Sequence, residues 1–149
     1  MIRAIGYVDA LPAAATYYAK FRDRLSPTED GAPTRVLPLT DDVDWKSARN
    51  LVSRVQALVS VETEIVSALV FGLDSGGVTQ WTRESGELLV DRFVVPLSVG
   101  PGAVLHAGGG SLLLVVGNVL HFNPHNMHSA ANFGPVMAVA LTVDLKSCS

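Results

Sequence analysis

The chain has 149 residues, 48% of them hydrophobic and 17% charged, and carries a net charge of −3. That is enough apolar material for one folded domain with a real core, and too much for a disordered chain. There is no basic run to contact phosphates, which argues against a nucleic-acid partner, and the single cysteine, Cys148, excludes an internal disulfide and a cysteine-based zinc site.

Near the N-terminus, Pro12 is placed to open a helix. Ala14, Tyr17, Tyr18, Phe21 and Leu25 then share one helical face, and Ser26-Pro27 ends it. Residues 29–33 read as a polar loop and Arg35 to Leu39 as a short strand. Asp44 is a plausible N-cap for a second helix. In that helix Trp45, Ala48, Val52, Val55 and Val59 form the apolar stripe, and Arg49 and Arg54 lie on the wet face.

From Val61 onward the period changes to two. Strands are expected in the segment leading through Ser67 to Leu73, then at Val78 to Arg83, Glu87 to Leu97, Val104 to His106, Ser111 to Val116, Asn118 to Phe122 and Pro135 to Asp144. Asp74-Ser-Gly-Gly77 and Gly100-Pro-Gly102 are strong turns. Gly108-Gly-Gly110 lacks the following helix and the Lys-Ser/Thr of a phosphate loop, so it reads as a tight strand connection. Turns at such intervals predict a β-sandwich or barrel, mainly β, with the N-terminal helices packed on its outside. A single domain over 1–149 is expected, with a helical part at 1–60 and a β core at 61–145. The N-terminus lacks the pattern of a signal peptide, and no apolar run reaches the roughly 20 residues that span a bilayer. A cytoplasmic protein is the expectation, with no membrane partner.

The most informative stretch is Gly117 to Asn132. A glycine opens a short apolar strand, Asn123-Pro124 turns the chain, His128 starts the next strand, and Asn132 follows four residues later. His121, His125 and His128 lie close in sequence and could form a zinc or nickel cluster, although clustered histidines with no accompanying acid are often incidental. His106, from a neighbouring strand, could approach His128 across the barrel. Ser129 lies beside His128 without the strained elbow of a nucleophile. Asp91 and Arg92 read as an ion pair or, for Arg92, as a clamp for a ligand anion.

The segments Arg92 to Leu97, Gly108 to Gly110, Gly117 to Phe122, His128 to Asn132 and Val139 to Asp144 together resemble the core of the 2-oxoglutarate/iron oxygenases. The likeness is strongest to the aspartyl/asparaginyl hydroxylase branch, and the His128-x-x-x-Asn132 spacing is also similar to the second motif of cupins. The resemblance covers roughly residues 65 to 145. It implies a double-stranded β-helix, the jelly-roll or cupin-like barrel. It also implies Fe(II) held by a His-x-acid pair and a distal histidine, with 2-oxoglutarate as cosubstrate and a basic residue binding its carboxylate.

His128 matches the distal histidine. Where the first pair should fall the sequence reads Gln80-Trp-Thr-Arg-Glu84, so Thr82-x-Glu84 keeps the carboxylate and loses the imidazole. Trp81 would then fill the space of metal and cosubstrate. Residues 134–138 hold no arginine or lysine. The resemblance thus implies an oxygenase-like shell with degenerate motifs and no cofactor. Such a shell would serve binding or assembly, for example as a phage or bacterial accessory protein that self-associates or docks on a larger assembly, and a phage protein could be virion-associated. One alternative is an active Fe(II)/2-oxoglutarate oxygenase whose metal is held by His128, Glu84 and His106 or His125. Another is a metal-free small-ligand barrel in which Arg92 clamps an anion.

Overall fold

The computed structural model describes residues 1–10, 13–14, 17–19, 34–39, 43–86 and 89–148, and of residues 35, 38 and 43–47 the backbone. Its strands are β1 (Arg3–Tyr7), β2 (Thr34–Pro38), β3 (Thr63–Leu73), β4 (Asp91–Ser98), β5 (Ala103–Ala107), β6 (Gly110–Leu113), β7 (Asn118–Phe122), β8 (His128–Asn132) and β9 (Ala138–Ser147). A helix spans Val43–Leu58, and residues 13–14 and 17–19 are also helical.

Two antiparallel sheets face each other. The larger has the order β1-β7-β4-β9-β3-β2 and the smaller β6-β5-β8. This is the mainly β jelly-roll architecture expected from the turn spacing. Alternation along the central strands divides the larger sheet into two faces. Val139, Leu141, Val143 and Leu145 of β9, with Phe93, Val95 and Leu97 of β4, pack against the helical layer of Tyr17, Ala48, Leu51, Val52 and Val55. The other face carries Val94, Leu120, Phe122 and Ala140, which meet Leu105 and Ala107 of the smaller sheet.

The N-terminal part, expected to be helical apart from one short strand, holds a second strand as well. It supplies two strands of the larger sheet, β1 beyond β7 and β2 beyond β3. β2 falls where a strand was expected. β1 has no clean period, because its pairing shifts between Ala4 and Gly6, so its sequence hides it. In the helix, Ala48, Val52 and Val55 are buried, Val59 is half-buried, and Arg49 and Arg54 are exposed, as the stripe predicts. Asp44 lies within the helix and not ahead of it, a shift of the size usual at helix ends. Pro12, Phe21, Leu25, Ser26-Pro27, the loop 29–33 and Glu87, with the Trp45 side chain, lie outside the described residues.

The expected strand Val78 to Arg83 is reduced to two bridges onto β8, Val78 to Ala131 and Thr82 to His128. Between them the Thr79 hydroxyl accepts the Ala130 N–H at 2.8 Å, and the Thr79 N–H donates to the Ala130 carbonyl at 2.9 Å. A side-chain oxygen thus does the work of a ladder carbonyl, which breaks the regular strand pattern. Gly108 and Gly109 turn β5 into β6 with positive φ (55° and 82°), a two-residue hairpin. Gly117 is fixed more tightly, since it has φ +86° and an added Cβ would lie 2.6 Å from the Val8 carbonyl oxygen.

Candidate functional site

A cavity of about 430 Å³ lies between the sheets. Its position follows from a size alternation in β9. The helix-side residues Val139, Leu141, Val143 and Leu145 are large, whereas Ala138, Ala140 and Thr142 on the opposite face are small. Ala103 and Ala130 of the smaller sheet are small too, so the inner faces meet without filling the space. Leu69, Phe71, Val94, Leu105 and Phe122 complete an apolar wall. One end is polar and is built from Thr82, Glu84, Arg92, His128 and Asp144.

Arg92 organises that end. In the register of β4 with β9 it stands directly opposite Asp144, and in that of β4 with β7 opposite Phe122. Its Nε donates to Asp144 Oδ1 at 2.8 Å and its Nη2 to Asp144 Oδ2 at 2.9 Å. This fork-to-fork geometry is the strongest form of the pair. Nη2 also donates to Glu84 Oε1 at 3.0 Å, and Nη1 lies 3.3 Å from His128 Nε2. His128 Nδ1 lies 2.9 Å from the Asn126 carbonyl oxygen, which can only accept. The proton therefore sits on Nδ1, and Nε2 accepts from the guanidinium of Arg92. Burial by itself would lower the Arg92 pKa. The hydrogen bond and charge of Asp144, followed by those of Glu84, outweigh it and hold the pKa above its ordinary value.

The structure brings together His128, Glu84 and Arg92 of the residues singled out in the sequence. Thr82 pairs backbone to backbone with His128, N–H to carbonyl at 3.0 and 2.8 Å, so Thr82-x-Glu84 lies beside His128. His106 is not brought in. It follows Leu105 on β5, so its ring projects from the opposite face, 2.6 Å from the Ser111 hydroxyl and against Trp81 with ring centroids 5.8 Å apart. Trp81 is 59% exposed on that outer face and does not fill the barrel, because a period of two that points Thr82 inward points Trp81 outward. His125 Nδ1 lies 3.1 Å from the backbone carbonyl of Glu84, away from its carboxylate. His121 stacks on Phe93 and its Nε2 lies 2.9 Å from Asp91 Oδ1, on the helix side of the sheet. Asp91 and Arg92 therefore do not pair with each other. Asn132 is buried and closes the turn after β8, donating to the carbonyls of Leu73 and Val136 and accepting the Gly134 N–H. Asp144 is the residue the sequence reading missed, and its signal was a lone acid on the small-residue face of β9.

No family model matches the chain, and no curated protein matches it. Solved structures do. The viral collagen prolyl hydroxylase of Paramecium bursaria Chlorella virus 1, solved as a 2-oxoglutarate complex, superposes with a TM-score of 0.70 over 99% of this chain and 95% of that one, at 7% identity. A prolyl-4-hydroxylase of Pseudomonas putida gives 0.68 over 100% and 92%, at 11% identity. The fold is the double-stranded β-helix of the 2-oxoglutarate/Fe(II) oxygenases and cupins. HygX of Streptomyces hygroscopicus, solved with nickel and 2-oxoglutarate bound, also shares it, with a TM-score of 0.61 over 99% and 82% at 12% identity.

HygX holds nickel in this fold, and the polar end can be tested for a metal. The facing atoms of His128, Glu84 and Asp144 are all engaged by one guanidinium. A fixed positive charge at the point where the donors converge opposes a second cation there. Among the described residues no group of three or more His, Cys, Asp or Glu is arranged to hold a metal ion. The residues as placed do not fit iron.

Proposed function

We propose that the chain uses an oxygenase-like shell to bind a small molecule without a metal. The observation that carries this reading is the position of Arg92, whose guanidinium ties together the carboxylates and the imidazole on which metal chemistry would rest. An internal cation in that place pairs with both acids, donates to the imidazole and leaves an apolar chamber in front of it. The chamber's volume lies within the roughly 300–1,000 Å³ of small-molecule sites, and its few polar groups converge at one end, as such sites require.

The test is metal analysis of protein purified without chelator, combined with a 2-oxoglutarate turnover assay. The expected outcome is substoichiometric iron and no turnover. Stoichiometric iron with turnover would overturn the proposal in favour of an oxygenase with an atypical site. One observation supports that second reading, the convergence of Glu84 and His128 on a common group with Thr82 bridged to His128. It requires Arg92 to swing out of the cluster, and then His128→Ala would abolish the bound metal.

A further inference from the structure

We infer that the cavity selects an apolar molecule ending in a protonated amine, and that it rejects the matching carboxylate. The inference rests on the metal-free binding reading and names the ligand chemistry of that site. It starts from the charges that line the cavity. Among the described residues these are one cation, Arg92, and two carboxylates, Glu84 and Asp144, so the polar end carries one net negative charge. His128 turns Nδ1 to the Asn126 carbonyl and Nε2 to Arg92, so neither ring nitrogen is offered to a ligand.

The hydrogen-bond inventory gives the same direction. Arg92 has five N–H groups, and four of them are directed at Asp144, Glu84 and His128. A ligand carboxylate would find one remaining guanidinium N–H and would face the carboxylates of Glu84 and Asp144. The expectation that Arg92 clamps an anion does not suit a guanidinium already committed in this way. Acceptors, in contrast, are to spare. Glu84 gives one oxygen to Arg92, its second oxygen has no partner among the described residues, and its side chain is 50% exposed where it lines the cavity. Thr82 lines the same end. An ammonium group carries three donors and no acceptor, which is the complement of this arrangement. Leu69, Phe71, Val94, Leu105 and Phe122 then surround the hydrocarbon body.

The experiment is calorimetric titration of the intact chain at neutral pH with octylamine, octanol and octanoate, three probes with one tail and different heads. Octylamine is expected to bind tightest and octanoate weakest, at least about tenfold apart, as one partly screened charge at short range implies. Glu84→Gln is expected to erase the advantage of octylamine over octanol, read as the ratio of the two affinities in the same variant. Raising the salt concentration in the parent protein should weaken octylamine selectively, a second readout that needs no variant. Octanoate binding as tightly as octylamine would overturn the amine assignment and leave the binding reading standing. Failure of all three probes to bind would overturn both.

Discussion

Replacing Arg92 by alanine separates the structural and the metal-excluding roles of its guanidinium. The variant removes both bonds of the fork to Asp144 (2.8 and 2.9 Å), the contact to Glu84 (3.0 Å) and the donor to His128 Nε2 (3.3 Å). The two carboxylates do not suffer equally. Glu84 is half exposed and is rehydrated at little cost, whereas the Asp144 side chain is 11% exposed and, among the described residues, keeps only the Ser67 hydroxyl at 3.5 Å. Breaking one side of a buried pair costs about 3–5 kcal/mol. Arg92 itself retains 16% exposure and its loss opens the cavity to water, which places this case at the low end, about 3 kcal/mol. For a domain of this size that is a fall in Tm of roughly 6–12 °C.

Denaturant titration of Arg92→Ala, Asp144→Ala, Glu84→Ala and the two double variants measures the partition. Coupling between Arg92 and Asp144 should reach about 2 kcal/mol or more, and coupling between Arg92 and Glu84 should stay below about 1 kcal/mol, as for an exposed pair. The same variant frees His128 Nε2, Glu84 and Asp144 around one vacated space. Added Zn²⁺ or Ni²⁺ should therefore raise the Tm of Arg92→Ala and leave the parent unmoved. An Arg92→Ala protein within about 1 kcal/mol of the parent would refute the assigned burial of the pair. An equal metal-induced shift in both proteins would refute the claim that the guanidinium keeps the metal out.

Arg92→Lys keeps the charge but replaces a planar fork with a point donor, so about 1–2 kcal/mol of stability should be lost in denaturant titration. The raised Arg92 pKa gives stability that is complete below the unfolded-state value and lost only as the pH rises through the folded one. Its contribution should therefore stay flat from neutral pH to about 11, since both values lie higher, and a thermal scan of the parent against Arg92→Ala across that range checks it. Ala140→Leu places a larger side chain in the cavity and should weaken octylamine binding at least about tenfold while changing stability by less than about 1.5 kcal/mol, readable by calorimetry and thermal melting. Gly117→Ala forces a side chain onto a positive φ and against the Val8 carbonyl, so its melting should report a loss of about 2 kcal/mol or more.

The architecture was legible where period and turn chemistry agreed. β9 alternates small and large residues from Ala138 to Val143, β5 and β6 are joined by glycines at positive φ, and the helix Val43–Leu58 shows its stripe in Ala48, Val52 and Val55. What the sequence hid was structure set by long-range partners. β1 exists because β7 offers it an edge, and its bulge near Gly6 destroys the local pattern. Residues 78–82 alternate like a strand but make only two bridges, since the Thr79 hydroxyl substitutes for a ladder carbonyl. Of the site, His128, Glu84 and Arg92 could be picked out as residue types at the right spacing. His106 was misplaced by one step of the alternation, which carries a side chain from one face of a sheet to the other.

The same one-step logic explains why Asp144 decides the chemistry. In Ala138 to Leu145 the odd-numbered positions are large and supply the core against the helices, and the even-numbered ones are small and shape the cavity. An acid at an even position therefore points into the cavity, where the Asp144 side chain is mostly buried, and a cation directly opposite offsets that burial. The register of β4 puts Arg92 there. Once that pair forms, the remaining Nη groups point across to the smaller sheet, where Glu84 and His128 are held by the bridge at Thr82. A metal ion at the point where Asp144, Glu84 and His128 converge would have to displace a guanidinium whose burial cost is already offset by a two-bond ion pair, whereas the second oxygen of Glu84 stays open to a head group from the cavity. The Arg92–Asp144 pairing across β4 and β9 thus sets both the charge of the cavity's polar end and the class of head group that can enter it.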